Sequence, residues 1–167
     1  MTAADLTPAL AAFSAAIAQG TGQPQRAFSA LHDLTRATIG ARLFTVMRFD
    51  ADRGVAARLF SSDPLAYPPA GEKPVRPDRW SEQVLVRKQP FIANDLAAIA
   101  EVFSDHAQIA ALGCQSCLNL PLIIGGQVLG TLNCLDVAGH YTPQRVAQAA
   151  CLVAPGLVAM SLALRLA

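Results

Sequence analysis

Hydrophobic positions near the start of the chain recur with the spacing of an α-helix. Large apolar side chains follow one another at steps of four, three and four residues, which predicts an amphipathic helix that ends near Gly20. This stripe consists of Leu6, Leu10, Phe13 and Ile17. A second helix is predicted from about Gln25, with Phe28, Leu31 and Leu34 as its apolar stripe. Gly40 lies just past its end and suits the left-handed backbone of a helix C-cap.

After Gly40 the spacing changes to a period of two, which is typical of strands. Residues 42–50 and 55–61 predict two strands, and the segment between them predicts a turn. Residues 62–77 contain five prolines and predict an irregular loop. Because a long loop inside a compact domain is more often functional than idle, we expect this loop to have a functional role.

The middle of the chain alternates short helices with short strands. Residues 78–88 predict a helix capped by Asp78, and residues 90–93 predict a brief strand followed by a loop or short helix. Residues 104–113 predict another helix, with Ser104 as its cap. Near the end of the chain, Thr142-Pro143 combines an N-cap with proline at the first helical position, so the last helix is expected to begin there.

Two apolar runs between Cys117 and Cys134 predict a β-hairpin. They flank Gly125-Gly126, a pair suited to the positive backbone angles of a two-residue turn. This turn predicts that Pro121 lies opposite Gly130 and that Cys117 lies opposite Cys134. Gly130 leaves a gap on the sheet where another group is expected to approach closely.

The same register divides the hairpin side chains between two faces. One face is expected to carry Cys117, Asn119, Pro121, Val128, Gly130 and Cys134. The other is expected to carry Leu118, Leu120, Leu122, Ile124, Leu129 and Leu135, together with Asn133. We expect the leucine-rich face to meet the terminal helices and the smaller, more polar face to form the floor of a pocket.

Composition narrows the classes of function. The chain has 167 residues, which fits one domain, and its formal net charge of +1 argues against nucleic acid as a partner. Hydrophobic residues make up 53% and charged residues 15%, so we expect a second copy of the chain to cover part of the surface. Val146–Leu164 contains no charged residue, yet its alanines and Pro155-Gly156 favour a buried helix over membrane contact.

The start of the chain and its cysteines indicate the cellular compartment of the protein. Met1–Leu6 has an early acid and no basic segment of a secretory signal, so a cytoplasmic protein with reduced thiols is expected. Cys114-Gln-Ser-Cys117 has redox-motif spacing, but it precedes a strand rather than opening a helix. Because no second pair or well-spaced histidine set accompanies it, neither a metal nor another cofactor is expected.

The hairpin and the last helix resemble the GAF domain family, which is related to PAS domains. The resemblance rests on Leu118-Asn-Leu-Pro121-Leu, on Gly125-Gly-Gln-Val-Leu-Gly130-Thr-Leu-Asn and on Tyr141-Thr-Pro143. It implies an α+β fold with a central antiparallel sheet of five to six strands. The terminal helices would lie on one face, and a ligand pocket under loops and short helices would lie on the other. It also implies a single, stand-alone domain over residues 1–167, with its core at about 10–165.

The resemblance implies a sensory or regulatory protein that binds a small molecule without catalysis. Such a protein would form a homodimer through its terminal helices and signal through a separate output protein. A GAF-like family of free methionine-(R)-sulfoxide reductases is the enzymatic alternative, although their cysteines are widely spaced over the pocket. A dimerisation module with an empty pocket is the third. The chain lacks the Asn-Lys-Phe-Asp-Glu signature of cyclic-nucleotide-binding relatives and the Cys-His pair of bilin-binding relatives.

Ten residues are candidates for contact with the ligand. They are Arg48, Trp80, Phe91, Asp95, Phe103, Asp105, His106, Cys117, Asn119 and Cys134. Several keep a second interpretation: the aromatic residues suit plain core, and Arg48 suits the surface at a strand end. Cys117 and Cys134 suit either a redox or metal pair or two small buried hydrophobic residues.

Overall fold

A six-stranded antiparallel sheet forms the centre of the computed structural model, which describes residues 3–69 and 71–165. The strands are β1 (Leu43–Asp50), β2 (Val55–Ser61), β3 (Lys73–Pro74), β4 (Phe91–Ala93), β5 (Ser116–Ile124) and β6 (Gln127–Asp136). Their order across the sheet is β3-β2-β1-β6-β5-β4. The two long hairpins therefore meet at the centre, where β1 pairs with β6.

Helices cover both faces of this sheet. The helices are α1 (Ala3–Ile17), α2 (Gln25–Thr38), α3 (Arg79–Ser81), α4 (Leu96–Ala100), α5 (His106–Ala111), α6 (Pro143–Ala149) and α7 (Val153–Arg165). A π-helical turn, Glu82–Val86, continues α3, and a 3₁₀ turn, Ala150–Leu152, joins α6 to α7. The terminal helices α1, α2 and α7 pack on one face, and the short helices α3 to α5 cover the other, as expected for the α+β arrangement.

The helix starts follow from local side-chain chemistry. Asp78 accepts a hydrogen bond from the Ser81 backbone N–H at 2.7 Å, and the Ser81 hydroxyl and the Asp78 backbone complete a capping box. The Thr142 hydroxyl accepts from the Arg145 backbone N–H at 3.3 Å, and Pro143 occupies the first helical position. Both predicted starts are confirmed. The expected cap at Ser104 is wrong, because α5 begins one residue later with Asp105 at its N-cap.

The segment rich in prolines is less irregular than expected. Within it, Lys73–Pro74 forms the edge strand β3, which pairs antiparallel with Val55 and Ala56 of β2. Proline is tolerated there because an edge strand has one side whose backbone groups need no partner in the sheet. This short strand places the following loop beside the sheet face that carries the short helices.

The predicted turn of the β5–β6 hairpin is confirmed. Gly125 and Gly126 have φ of +56° and +76°, and Ile124 pairs with Gln127 on either side of them. Two residues further on, the register shifts, because Ile123 pairs with Val128 while Leu122 pairs with Gly130. Leu129 is the extra residue of a β-bulge.

The bulge corrects the expected pairing and the assignment of one strand's faces. Cys117 pairs with Leu135 and Leu118 pairs with Cys134, so the expected Cys117–Cys134 pair and the expected Pro121–Gly130 pair are both wrong. A shift of one residue sends every later side chain of β6 to the opposite face. Cys134 therefore lies in the core under the terminal helices, and Asn133 moves to the other side. On β5 the leucine-rich face meets the terminal helices as expected.

Gly130 is a point of close approach, as its place in the strand predicts. A Cβ atom added there would lie 2.6 Å from the Met160 Cε of α7, and even closer to the backbone carbonyl oxygen of Met47 on β1. The gap therefore accommodates parts of the same chain: a neighbouring strand and a terminal helix.

The helical segment Pro143–Arg165 is long and apolar enough to cross a membrane by length and composition, and 33% of its most apolar window is buried. Its inner side carries Leu152, Ala159 and Met160, which are fully buried against the sheet. The apolar residues on this side of the segment therefore belong to the core of the domain.

Candidate ligand-binding cavity

A cavity of about 260 Å³ lies between the sheet and the short helices. Its floor is formed by β1, β5 and β6, and its walls by β2, α3, α5 and the loop after β3. The lining residues are Thr45, Met47, Phe49, Ala56, Arg58, Tyr67, Lys73, Pro74, Val75, Arg76, Asp78, Trp80, Phe103, Asp105, Ile109, Cys117, Asn119, Asn133 and Leu135. Most of these side chains are apolar, so the polar groups among them define where a ligand can be oriented.

A row of hydrogen-bonded side chains crosses the cavity floor. The Trp80 indole Nε1–H donates to Asn119 Oδ1 at 2.9 Å, and Asn119 Nδ2–H donates to Asn133 Oδ1 at 2.9 Å. Asn133 Nδ2–H then donates to the Thr45 hydroxyl at 3.2 Å. Both amides are almost fully buried, so they need these partners to offset the loss of water. We call these four residues the amide row.

The chemistry of the first donor fixes the direction of the whole amide row. An indole nitrogen can only donate, so the amide oxygen of Asn119 must face Trp80. The amide nitrogen of Asn119 then faces Asn133, and the same logic turns the nitrogen of Asn133 toward Thr45. Each amide nitrogen carries two hydrogens and uses one of them in the row. One hydrogen of each amide nitrogen is therefore not used within the row.

Tyr67 connects the loop after β2 to the start of α5. Its hydroxyl donates a short hydrogen bond to the Asp105 carboxylate, and burial together with that bond raises the pKa of Tyr67 above its ordinary value. The Arg58 guanidinium lies over the Tyr67 ring, with 3.9 Å between its Cζ atom and the ring centroid. The predicted functional loop thus contributes a side chain that links two walls of the cavity.

The cavity thiol is held in its protonated form. Burial raises the pKa of Cys117 to about 12, and burial likewise raises the pKa of Cys114 and Cys134. Cys134 faces the terminal helices, so it and Cys117 project to opposite sides of the sheet. Cys151 is exposed on the 3₁₀ turn. Among residues 3–69 and 71–165, no group of three or more His, Cys, Asp or Glu side chains is arranged to hold a metal ion.

Five of the ten candidate residues line the cavity: Trp80, Phe103, Asp105, Cys117 and Asn119. Trp80 and Phe103 form walls, Asp105 accepts the Tyr67 hydrogen bond, and Cys117 and Asn119 belong to the floor.

The other five lie elsewhere, and each has a structural reason. Arg48 pairs with Glu72 at 2.8 Å, Asp95 caps α4 through the Ala98 backbone N–H, and Cys134 faces the terminal helices. Phe91 is buried behind the cavity wall, where its ring meets Phe103 edge-on at 5.9 Å. His106 Nδ1 lies 3.0 Å from the Phe103 carbonyl oxygen. The structure therefore corrects the expected placement of these five residues in the pocket.

Several cavity residues escaped the sequence analysis. The expected face of Asn133 is wrong because the bulge shifts the register of β6, and an asparagine on a leucine-rich face is the signal of that shift in the sequence. Arg58 and Tyr67 gave no motif, because a strand arginine and a loop tyrosine acquire their roles only when β2 and α5 are brought together.

The sequence matches the GAF domain family over residues 23–160, and the chain belongs to that family. No curated protein matches it. The fold is similar to the GAF domain of a phosphoenolpyruvate-protein phosphotransferase from Coxiella burnetii, with a TM-score of 0.69, 14% identity, and 99% of this chain and 96% of that chain covered.

Two further solved structures have a similar fold, one bound to phycocyanobilin and the other an enzyme in complex with its substrate. The phycocyanobilin-bound GAF domain of a cyanobacterial phytochrome has a TM-score of 0.69 and 17% identity, and 93% of each chain is covered. A free methionine-R-sulfoxide reductase from Neisseria meningitidis, in complex with its substrate, has a TM-score of 0.65 and 12% identity, with 97% of this chain and 92% of that chain covered. At these identities the likeness concerns the fold alone.

Proposed function

We propose that this protein is a non-catalytic sensor that binds a small molecule in the cavity and passes the signal to another protein. The observation that supports this most is the amide row beneath mostly apolar walls. Two buried amides cost free energy unless each polar atom is satisfied, and here each amide oxygen and nitrogen has a partner within the row, beside the cavity. A pre-formed cavity with few, oriented polar groups is the usual form of a small-molecule site.

The same observation favours a sensor over a ligand-free dimerisation module. A module without a ligand gains stability by filling the face of its sheet with apolar side chains, because empty space forfeits dispersion contacts. Here Asn119, Asn133 and Thr45 occupy the floor instead, next to a volume of about 260 Å³.

Reduction of free methionine sulfoxide is the second candidate, favoured by the fold likeness to the Neisseria enzyme and by the Cys117 thiol in the cavity. Thiol chemistry of that kind needs a thiolate and a second thiol that can close a disulfide. Burial raises the pKa of Cys117 to about 12, and Cys117 is the one cysteine among the described lining residues. These two features support the sensor over the reductase.

We further propose a cytoplasmic homodimer formed through the terminal helices. Leu10, Val158 and Leu164 are exposed apolar residues on α1 and α7, and residues 6–17 and 146–164 contain no charge. Surfaces of this kind are commonly covered by a partner, and a charge-free surface can meet its own copy without repulsion. The output protein would act in trans.

Native mass spectrometry of protein purified from its own host tests the sensor. We expect a stoichiometric small-molecule adduct on the wild type and on Val86→Trp, a control that adds bulk at an exposed site outside the cavity lining and the terminal helices. Ile109→Trp places the same bulk in the cavity wall and should abolish the adduct while the thermal unfolding transition stays cooperative. A clean unliganded mass for the wild type would contradict the sensor and favour the dimerisation module.

A separate assay tests the reductase. Free methionine sulfoxide is supplied with thioredoxin, and NADPH consumption is followed with the wild type and with Cys117→Ser. We expect the two rates to equal the background rate. Robust turnover that disappears in Cys117→Ser would overturn the non-catalytic proposal.

A further inference from the structure

We propose that the cavity selects a small apolar molecule carrying one negative charge, such as an aromatic or aliphatic carboxylate. The inference rests on the proposed function, since it names the class of ligand for the same cavity. Three observations carry it. One arginine guanidinium has a nitrogen without a hydrogen-bond partner, the charged lining residues are cationic in balance, and the other walls of the cavity are too apolar for a highly polar ligand.

The first observation concerns Arg58 on β2. Its Nη1–H donates to the Pro68 carbonyl oxygen at 2.7 Å, and its guanidinium is stacked on Tyr67. Its Nε atom is buried and has no hydrogen-bond partner. A buried donor without a partner is costly, and an arginine edge matches the two oxygens of a carboxylate. An anionic group beside this edge would supply the missing acceptor.

The second observation is the balance of charge around the cavity. Lys73 and Arg76 line it from β3 and the following loop, and within the described ranges neither they nor Arg58 forms an ion pair. The two lining carboxylates are already used: Asp78 caps α3, and Asp105 accepts the Tyr67 hydrogen bond. Hydrogen bonds leave both acids charged, so the three cations exceed the two acids by one positive charge, and this net charge favours an anion.

The third observation is the body of the cavity. Phe49 and Trp80 form a tilted ring pair with centroids 5.6 Å apart, and Phe103 and Ile109 extend the same apolar wall. Such walls bind an apolar group, preferably one with a ring. At about 260 Å³ the cavity lies below the usual range for drug-sized ligands of about 300–1,000 Å³, which favours a small molecule.

Three matched probes test the charge preference: 3-phenylpropanoate, its neutral amide 3-phenylpropanamide, and the cation 3-phenylpropylammonium. They share one apolar body and differ in the charge of the end group. Binding is measured by titration calorimetry and by the fluorescence of Trp80, the single tryptophan, which lies in the cavity wall. We expect the carboxylate to bind at least about tenfold more tightly than either other probe, because of its pairing with the cationic wall.

Substitutions of single arginines test which residues recognise the charge of the ligand. Arg58→Gln should weaken carboxylate binding about tenfold and leave amide binding unchanged. Arg76 is an exposed loop residue, so Arg76→Gln should leave the core folded. It should weaken carboxylate binding about threefold. Arg79→Gln is the matched control, because Arg79 lies on the adjacent α3 but pairs with Glu101 on the surface. It should have no effect.

The outcomes separate this inference from the sensor proposal. Equal affinities for the carboxylate and the amide would overturn the charge preference while supporting a cavity that binds small molecules. Tightest binding of the ammonium probe would overturn it in favour of recognition by Asp105. Absence of binding by all three probes would also overturn the inference, and the native mass spectrum then decides the sensor separately.

Discussion

The two faces of the central sheet belong to the same strands but are packed differently: one is filled with apolar side chains, and the other borders a cavity. The face under α1, α2 and α7 is filled with large apolar side chains, among them Phe28, Phe44 and Leu132, which are fully buried. The face under the short helices carries the amide row and leaves a cavity of about 260 Å³. One face supplies most of the packing that holds the fold, and the other keeps the space and polar groups that a ligand needs.

The difference between the two faces depends on the bulge at Leu129. Without it, β6 would present Asn133 to the terminal helices and Cys134 to the cavity, so the amide row would be broken between Asn119 and Thr45. A single extra residue in one strand re-aims every side chain beyond it. Substitutions on either face test this difference.

The contact at Gly130 is the most sensitive point of the helix-packed face. Gly130→Ala places a methyl group against the Met47 backbone, so β1 and β6 must separate at the centre of the sheet. We expect a loss of at least about 3 kcal/mol in the free energy of unfolding, measured with urea. Gly20→Ala is the control, because a Cβ there meets nothing within 4 Å, and it should change stability by less than about 0.5 kcal/mol. Equal effects of the two substitutions would contradict the close approach at Gly130.

A pair of leucines on the same strand compares the two faces directly. Leu132 is fully buried under the terminal helices, whereas Leu135 lines the cavity. Leu132→Ala should cost about 3 kcal/mol, since it leaves a void in a close-packed core. Leu135→Ala should cost about 1–2 kcal/mol, because its neighbours already border open space and lose fewer contacts. Denaturant unfolding of both variants checks this order, and a larger loss at Leu135 would show that the cavity face is the better packed of the two.

How far the sequence predicted these two faces depends on the element. The helix caps at Asp78 and Thr142 and the turn at Gly125-Gly126 were predictable because each depends on residues a few positions apart. The bulge was not, since Val128 and Leu129 are both apolar and either can face the core. Only the misplaced Asn133 indicated an error in the register.

Only part of the cavity could be predicted, because local patterns report some of its residues but not contacts between distant segments. Trp80, Asn119 and Cys117 followed from strand alternation and from the family resemblance. Arg58 and Tyr67 depend on contacts between segments far apart in the chain, Tyr67 meeting Asp105 38 residues away, and local patterns carry no information on such contacts.

The amide row should stabilise the cavity face by less than the core stabilises the other. Asn119→Ala leaves the Trp80 indole N–H and the Asn133 amide oxygen without partners, and we expect a loss of about 2 kcal/mol. Trp80 fluorescence should shift as its hydrogen bond is lost. Asn94→Ala is a control that removes an exposed asparagine, one whose hydrogen bonds go to the Tyr141 backbone away from the cavity. It should leave the fluorescence unchanged, and an equal spectral shift in both variants would contradict the role given to the amide row.

The smallest expected effect concerns the pH dependence that Cys117 adds on the cavity face. Burial raises its pKa from the ordinary 9.0 to about 12, so the folded state keeps a proton that the unfolded state loses. This contribution to stability is fully present below about pH 9 and is lost as the pH rises toward about 12. Between about pH 8 and about pH 10, Cys117→Ala should therefore reduce the decline in stability by about 1 kcal/mol. Part of the decline should remain, because burial also raises the pKa of Cys134 on the other face. Cys151→Ala, at an exposed position, should leave the whole decline in place, and the same pH profile for both variants would mean that the Cys117 thiol is not shielded in the cavity floor.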